Sequence, residues 1–532
     1  MTNVNVNSQQ VMVQEILLNA MLLTDGYKLG HRTMYPKGMT QLFSNFTPRG
    51  NKYFPEATEG VVVFGIQYFV KKYLIDMFNN FFFNLPEDQV RSTYAELLET
   101  FLGGATASKI GTDHIVALHR LGYLPIRIKA LPEGTYCPIG CPVLTITNTH
   151  PDFAWLTNYL ESLSSNVLWQ PMTSATIADV FKRELVRHAM KTGFYNPNDT
   201  SNLDFLCHDF SMRGMGSLEA SITSGMAHLT SFCGSETVPA IKMVEYYYKA
   251  DPKSELIANT VPATEHSIEC SNATDENGTP NDEIYFKNIL DEFPEGFISI
   301  VADGYDYWHF ITKIVPKYKD QIMARNGRVV IRPDSGDPVK IVCGDSEATD
   351  PYVRMGSYEF LWNTFGGTFN DKDYKVLDPH IGLLYGDSIN MKRQKAIYAQ
   401  LEDKMFAATN LVLGIGSFTY QCNTRDSLAF ACKATYCVVN NKPIEIFKDP
   451  KTVTGTPKKS HRGLIMVELV TTPENPIPHY VVRDRVTAEE EASEANQLKT
   501  VFEDGKLVTE YTLAEIRETR RKAVHAIVSA QF

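Results

Sequence analysis

A chain of 532 residues, 43% hydrophobic and 21% charged, is long enough for two or three domains and has the composition of an ordinary globular protein. Its formal net charge of −11 argues against a general nucleic-acid binder, while leaving room for a local basic pocket that takes phosphates. No apolar run approaches the length of a membrane span, and the 9 scattered cysteines fit a reduced, cytoplasmic compartment.

In chain order, residues 1–10 carry neither a basic cluster nor an apolar core, so no secretory leader is expected. Residues 15–22 have helical spacing and lead into Leu23-Thr24-Asp25-Gly26-Tyr27-Lys28. A strand is predicted over 41–47, followed by Pro48-Arg49-Gly50-Asn51-Lys52. The apolar stretch 61–74 reads as a strand or a buried helix, Phe81-Phe82-Phe83 as core, and 86–120 as helix interrupted at Gly103-Gly104. Short strands and turns over 125–147 predict a small antiparallel sheet. Cys137 and Cys141 lie close in sequence, as do Cys432 and Cys437, but neither pair has C-x-x-C zinc spacing. Residues 153–190 read as a long helical region broken near Pro171, and the polar segment 193–202 marks a domain boundary.

From there the pattern changes. Residues 203–207 run into His208-Asp209-Phe210-Ser211-Met212-Arg213-Gly214, and 297–301 into Ala302-Asp303-Gly304-Tyr305-Asp306. Val329-Val330-Ile331 runs into Arg332-Pro333-Asp334-Ser335-Gly336, 381–385 into Gly386-Asp387-Ser388, and 411–413 into Gly414-Ile415-Gly416-Ser417. Each is an apolar run of strand length ending in Asp, Gly or Ser, with chain enough for a helix between most of them. Repeated strand, polar tip and helix predict an α/β fold with a parallel sheet, and this many repeats predict a barrel whose tips converge on one rim. Segments 271–283 and 344–351 read as polar surface loops, and 435–447 as two strands across an Asn440-Asn441-Lys442 turn. The basic run 457–462 is either solvated surface or a phosphate collector, and Glu489-Glu490-Glu491 a solvated loop or a helix start. No repeat of solenoid period is present.

The chain has no G-x-x-x-x-G-K-[ST] phosphate loop, no G-x-S-x-G elbow and no H-E-x-x-H zinc motif. It has aspartates at strand ends, with Arg213, Arg332, Arg425, Lys433 and Lys448 near them in sequence. Carboxylates accept hydrogen bonds from ribose hydroxyls or hold Mg²⁺, guanidinium groups clamp phosphate oxygens, and the amides of Gly414 to Ser417 can cradle a phosphate. Such a rim suits a ligand rich in hydroxyls and phosphates. His266, alone after Glu265, is either a hydrogen-bonded structural residue or a functional one, and Phe210 by itself reads as core.

The motifs Leu22-Leu23-Thr24-Asp25-Gly26-Tyr27-Lys28, Gly122-Tyr123-Leu124-Pro125-Ile126, 208–214, 261–267, Ile331 to Gly336, Tyr385-Gly386-Asp387, Thr424-Arg425-Asp426 and Phe447-Lys448-Asp449-Pro450 together resemble the nicotinamide phosphoribosyltransferases, a family of type II phosphoribosyltransferases. The resemblance runs through nearly the whole chain. It implies an irregular α/β barrel with an accompanying α+β domain: residues 1–200 as the α+β domain, 201–432 as the barrel with the active site, and 433–532 packing back on the first domain. It implies joining nicotinamide to 5-phosphoribosyl-1-diphosphate, giving nicotinamide mononucleotide and diphosphate, by a homodimer with shared active sites. Phe210 would sandwich the pyridine with Tyr27 of the other subunit, beside Asp25. Arg213, His266 and Arg332 would hold diphosphate; Asp303, Asp334, Gly386 and Asp387 the ribose or magnesium-associated groups; Gly416, Ser417 and Arg425 the nucleotide phosphate. Arg49, Lys433 and Lys448 would surround the phosphate and ATP site, and His266 would be phosphorylated when ATP is coupled to synthesis. Mg²⁺ is expected near the diphosphate, at Asp303 or Asp334, with ATP as an optional activator.

The sequence departs from the family pattern at three positions. Glu236 stands where the family has Asp and is expected to bind the nicotinamide amide. Gly416-Ser417-Phe418 replaces a Gly-Gly-Gly tip, and Ala431 replaces a phosphate-site Ser. The rival readings are a nicotinate phosphoribosyltransferase and a non-catalytic regulatory binding protein on the same fold.

Overall fold

A computed structural model describes residues 19–448, 461–472 and 477–532. The chain divides into two compact units: residues 1–173, 247–249 and 424–516 form the first, and 174–246, 250–423 and 517–532 the second.

The first unit is built on a seven-stranded antiparallel sheet. Its order is Lys442–Glu445, Phe430–Val439, Met39–Pro48, Leu144–Asn148, Ile126–Ala130, Lys499–Glu503 and Lys506–Leu507. The strand predicted over 41–47 lies inside it as Met39–Pro48, paired with Phe430–Val439 on one side and Leu144–Asn148 on the other. The hairpin at Asn440-Asn441 turns with φ of 50° and 61°, a left-handed pair that asparagine tolerates and that matches the twist of the flanking strands. The stretch 61–74 supplies both predicted structures, a strand at Val61–Val62 and then helical turns from Ile66 onward. Residues 86–120 form Glu87–Leu102, Gly104–Ile110 and Asp113–Leu121, the second and third separated at Gly111-Thr112. Glu489 to Glu491 fall in a short helix, Ala488–Ala492, started by a Thr487–Glu490 capping box.

Three expectations need correction or limits. Pro171 does not break the helical region: it lies inside the continuous helix Glu161–Thr192. A proline removes one amide donor, and here the turns on either side carry the helix through. The strand expected over 203–207 is Cys207–Asp209, because residues 201–203 are taken up by a 3₁₀ turn. Of 15–22 only 19–22 are described, with Ala20–Leu22 a 3₁₀ turn, and most of the basic run 457–462 lies outside the described residues.

The second unit holds a six-stranded parallel sheet, ordered Gly234–Ser235, Cys207–Asp209, Leu411–Ile415, Ile381–Tyr385, Gly327–Arg332 and Gly296–Val301. Its strands are short, and the central Leu411–Ile415 and Ile381–Tyr385 are apolar and almost wholly buried, as a sheet covered on both faces requires. Helices such as Leu218–His228, Pro338–Cys343 and Met391–Asp403 return the chain between them. The sheet curls, and its two edge strands are tied by one extended segment. Asn259 bridges Gly234 and Ala263 bridges Ser299, both in parallel sense. The Ser235 N–H donates to Asn259 O at 3.2 Å and the Thr264 N–H to Ser299 O at 3.0 Å. Closure by two isolated bridges makes this an irregular α/β barrel, as the tips predicted.

Candidate active site

All strands of the parallel sheet point the same way, so their carboxyl ends share one rim. The rim carries Phe210 and Arg213 after Cys207–Asp209, Glu236 after Gly234–Ser235, and Asp303 after Gly296–Val301. It carries Arg332 at the end of Gly327–Arg332 and Asp334 just after it, Gly386 and Asp387 after Ile381–Tyr385, and Gly416 and Ser417 after Leu411–Ile415. His266 follows the segment that closes the barrel.

Three of these tips are joined by hydrogen bonds. His266 Nε2 lies 3.1 Å from Asp303 Oδ1, and Asp303 Oδ2 accepts the Asp334 N–H at 3.0 Å. Arg332 donates through its two Nη atoms to Asp334 Oδ2 and Thr264 O, each at 3.4 Å, while its buried Nε has no partner. The Asp303 side chain is 3% exposed and that of His266 47%, so the carboxylate is fixed and the imidazole open to solvent. Tyr385 donates its hydroxyl to Ser335 O and Gly336 O, at 2.8 and 2.9 Å, and so props the Asp334 tip from below. Burial, and then the carboxylates of Asp387, Asp303 and Asp334, push the Tyr385 phenol up, which marks how closely the acids gather over it.

Phe210 lies on the same rim because glycines make room for it. A Cβ on Gly414 would come within 2.4 Å of the Phe210 ring, and one on Gly386 within 3.0 Å. The Phe210 N–H donates to Ile415 O at 2.9 Å. Its neighbour Asp209 is fully buried and accepts from Ser211 N–H, Ser211 Oγ and Thr237 Oγ1 at 2.9, 2.6 and 2.6 Å. The Glu236 N–H donates to Asp209 O at 2.9 Å, and its carboxylate accepts from Thr260 Oγ1. Asp209, Thr237, Thr260 and Thr264 are supports that sequence reasoning missed. Only Asp209, the acid closing its strand, and Thr264, within the 261–267 motif, carried a signal.

The remaining candidates lie in the first unit. Tyr27 sits on a 3₁₀ turn, Gly26–Gly30, and Asp25, which precedes it, is fixed to Ser162: the Asp25 N–H donates to Ser162 Oγ at 3.1 Å and Ser162 Oγ to the Asp25 carboxylate. Buried Lys28 pairs with Glu161 at 2.7 Å and locks the turn to the helix. Tyr27 is 62% exposed. A groove of about 440 Å³ opens there, lined by Asp25, Tyr27, Glu161, Ser162, Trp169 and Arg425 among others. Burial, and then Arg425, lower the pKa of Arg49, so two guanidinium groups crowd one another as an anion site requires. Lys433 lies within Phe430–Val439 opposite Asn45, and Lys448 is exposed beyond Lys442–Glu445.

Among the described residues, no group of three or more His, Cys, Asp or Glu side chains is arranged to hold a metal ion. No helix among them is long and apolar enough to cross a membrane.

The fold is shared with solved structures of distant sequence. It superposes on a nicotinate-nucleotide pyrophosphorylase from Pyrococcus furiosus with a TM-score of 0.53 at 15% identity, covering 99% of each chain. The human nicotinic acid phosphoribosyltransferase gives 0.52 at 15% identity, over 96% of this chain and 94% of that one. Sequence narrows the class. Residues 205–506 match the nicotinate phosphoribosyltransferase family, and 19–128 match the N-terminal domain of nicotinamide phosphoribosyltransferase. The chain is 42% identical to a nicotinamide phosphoribosyltransferase of Acinetobacter baylyi over 94% of its length and 97% of the relative's, and 33% identical to one of Mycoplasma pneumoniae over 84% and 95%. The chain therefore belongs to the nicotinate phosphoribosyltransferase family, among its nicotinamide phosphoribosyltransferase members.

Proposed function

We propose that the protein joins nicotinamide to 5-phosphoribosyl-1-diphosphate, releasing diphosphate and forming nicotinamide mononucleotide for NAD salvage. The observation that carries this reading is the joined rim of His266, Asp303, Arg332 and Asp334, two carboxylates held against a cation and an imidazole. The pyridine nitrogen brings its own lone pair, so the reaction needs no general base. It attacks C1 of the ribose as the C1–O bond to diphosphate breaks, and the electron pair of that bond leaves with diphosphate. The sugar passes through a cationic, oxocarbenium-like state, which Asp303 and Asp334 stabilise, while Arg332, Arg213 and His266 take the charge of the departing group.

Phe210 offers one face to the pyridine, and Glu236 accepts from the substrate amide. Gly386 and Asp387 meet the ribose, and Gly416, Ser417 and Arg425 the nucleotide phosphate. In this reading the protein is a cytoplasmic homodimer, and Tyr27 of a second copy, beside its Asp25, covers the other face of the ring. Mg²⁺ suits the donor set as a substrate-borne ion. Asp303 and Asp334 would supply the one or two carboxylates that Mg²⁺ takes alongside substrate phosphates, and among the described residues no group of three or more His, Cys, Asp or Glu side chains competes for it. The ion neutralises charge on the diphosphate. ATP, when present, transfers its γ-phosphoryl group to His266 and leaves as ADP, and the family resemblance assigns Arg49, Lys433 and Lys448 to phosphate and ATP binding.

The test is incubation of purified protein with nicotinamide, phosphoribosyl diphosphate and Mg²⁺, followed by chromatography. Formation of the mononucleotide with stoichiometric diphosphate is expected; its absence overturns the reading. Faster turnover of nicotinate would move the assignment to the acid.

A further inference from the structure

Beneath the rim lies a buried acid that the reaction above does not use. Glu269 follows His266 by three residues on the helix His266–Asn272, so the two side chains share a face. Glu269 is fully buried, and neither carboxyl oxygen has a hydrogen-bond partner of normal geometry. The carboxyl is pressed against Gly304, the residue after Asp303. A Cβ there would come within 2.5 Å of Glu269 Oε2 and 2.6 Å of its Cδ. The φ of Gly304 is not in the left-handed region, so space rather than backbone strain excludes a side chain at this position.

The helix carrying His266 and the tip carrying Asp303 are therefore joined twice. His266 meets Asp303 at the surface, and Glu269 meets Gly304 one turn deeper. Burial pushes the Glu269 pKa up to about 7; the nearby Gly304 amide opposes the rise, and Asp282 adds to it. A carboxyl held against the Gly304 amide can orient that peptide group through its polarity, which an apolar side chain of the same size cannot.

We propose that Glu269 is a positioning residue: with Gly304 it forms a matched pair that sets the Asp303 tip and so holds Asp303 in reach of His266 and of the Asp334 amide. This rests on the proposed role of that rim in the transfer reaction.

The test uses the full-length protein and four variants: Glu269→Gln, Glu269→Leu, Gly304→Ala and the double variant Glu269→Ala with Gly304→Ala. Glu269→Gln keeps donor and acceptor and should stay within about threefold of wild-type kcat. Glu269→Leu fills the space without orienting the peptide, and Gly304→Ala collides with the carboxyl. Each should lower kcat about tenfold or more, as expected when fixed charges lose alignment, while leaving KM for nicotinamide unchanged. The double variant should recover part of the loss, because shortening residue 269 makes room for the new methyl group. A crystal structure of Glu269→Leu should show His266 and Asp303 out of contact, with contact kept in Glu269→Gln.

The proposal is overturned if Glu269→Leu stays within twofold of wild type, if the double variant is no better than the worse single one, or if the contact persists in Glu269→Leu. A wild-type protein that makes no mononucleotide would instead refute the functional reading, and the crystallographic comparison would still decide this one.

Discussion

The two units use strands in opposite ways, and the difference sorts the candidate site residues into two kinds. In the antiparallel sheet of the first unit, neighbouring strands end at opposite edges, so polar tips are dispersed. In the parallel sheet of the second, every strand ends at the same rim, and tips far apart in sequence become neighbours: Asp303 reaches His266 across 37 positions. The first unit's candidate residues instead ride on locked local structure, the Gly26–Gly30 turn held by Lys28 and Glu161 and the 3₁₀ turn Arg425–Ser427. One unit thus provides a charge array and the other a small number of fixed contacts.

The sharpest way to break that contrast is to delete one arginine from each unit. Arg332→Ala removes a cation from the reacting array and should cut kcat by roughly 10²–10³-fold, the range for losing one preorganised charge-stabilising group. Arg425→Ala should mainly raise KM for phosphoribosyl diphosphate, because a group that binds ground and transition states alike affects KM and spares kcat. Steady-state kinetics on both variants decides the matter. An Arg425→Ala enzyme crippled in kcat as severely as Arg332→Ala would erase the distinction.

Mixing tests whether the two parts of a site come from different copies. Tyr27→Ala and Arg332→Ala chains, each strongly impaired alone, should regain part of the activity when mixed, since one hybrid site then holds both side chains. Mass spectrometry must show that subunits have exchanged; exchanged mixtures without activity would refute a shared site.

The barrel was legible because its evidence is repeated. Several apolar runs, each closed by Asp, Gly or Ser, have one architecture in common, and the tip at Arg332-Pro333-Asp334 lies where that architecture puts ligand groups. Its closure was not legible. The segment 259–263 pairs through one bridge at each end and has no strand-like apolar run to mark it. The supports at the rim were hidden for a similar reason. Thr260 and Glu269 act across turns that only the tertiary fold brings together, and no periodicity in the sequence sets them apart. Pro171 misled because local propensity is a weak prior inside a helix of 32 residues held by its packing. The roles given to Tyr27, His266 and Arg425 came from family resemblance rather than from their spacing.

Two smaller effects probe single side chains of the rim. His266→Ala should abolish the enhancement of synthesis by ATP, and γ-labelled ATP should leave an acid-labile phosphate on wild type alone; equal labelling of both would remove His266 from that role. Glu236→Gln should narrow the preference for nicotinamide over nicotinate about tenfold, because a neutral amide no longer repels the acid's carboxylate. Glu236→Asp should preserve the preference, provided Thr260 keeps hold of the shorter side chain. A site built around a substrate NH can reject an analogue lacking it by up to about 10⁴-fold, so the ratio of kcat/KM values is the quantity to measure. Equal ratios in wild type and Glu236→Gln would show that Glu236 does not read the amide.

The smallest effect separates the units by acid response. In the first unit, Glu133 is buried, accepts the Gly65 and Gln67 amides at 3.1 and 2.6 Å, and is pushed up to about 7 by burial. In the second, burial alone would raise Glu402, but hydrogen bonds from His188, Lys191 and Arg187 outweigh it and bring its pKa down to about 2. The two therefore bend the stability curve in opposite directions. An unfolded glutamate titrates near 4.5. Above that pH the folded state holds Glu402 ionised and gains its full stabilisation, which drains away as pH falls from about 4.5 to about 2. For Glu133 the unfolded chain loses its proton first, so stability falls as pH rises from about 4.5 to about 7 and then levels off. Urea midpoints measured from pH 3 to pH 8 should resolve both. The difference between wild type and Glu402→Gln should shrink toward low pH, and that between wild type and Glu133→Gln should move against the wild type as pH rises to 7. A pH-independent offset in either variant would mean that the substituted glutamate does not titrate differently in the folded and unfolded states, and would remove it from this account of the unit's acid response.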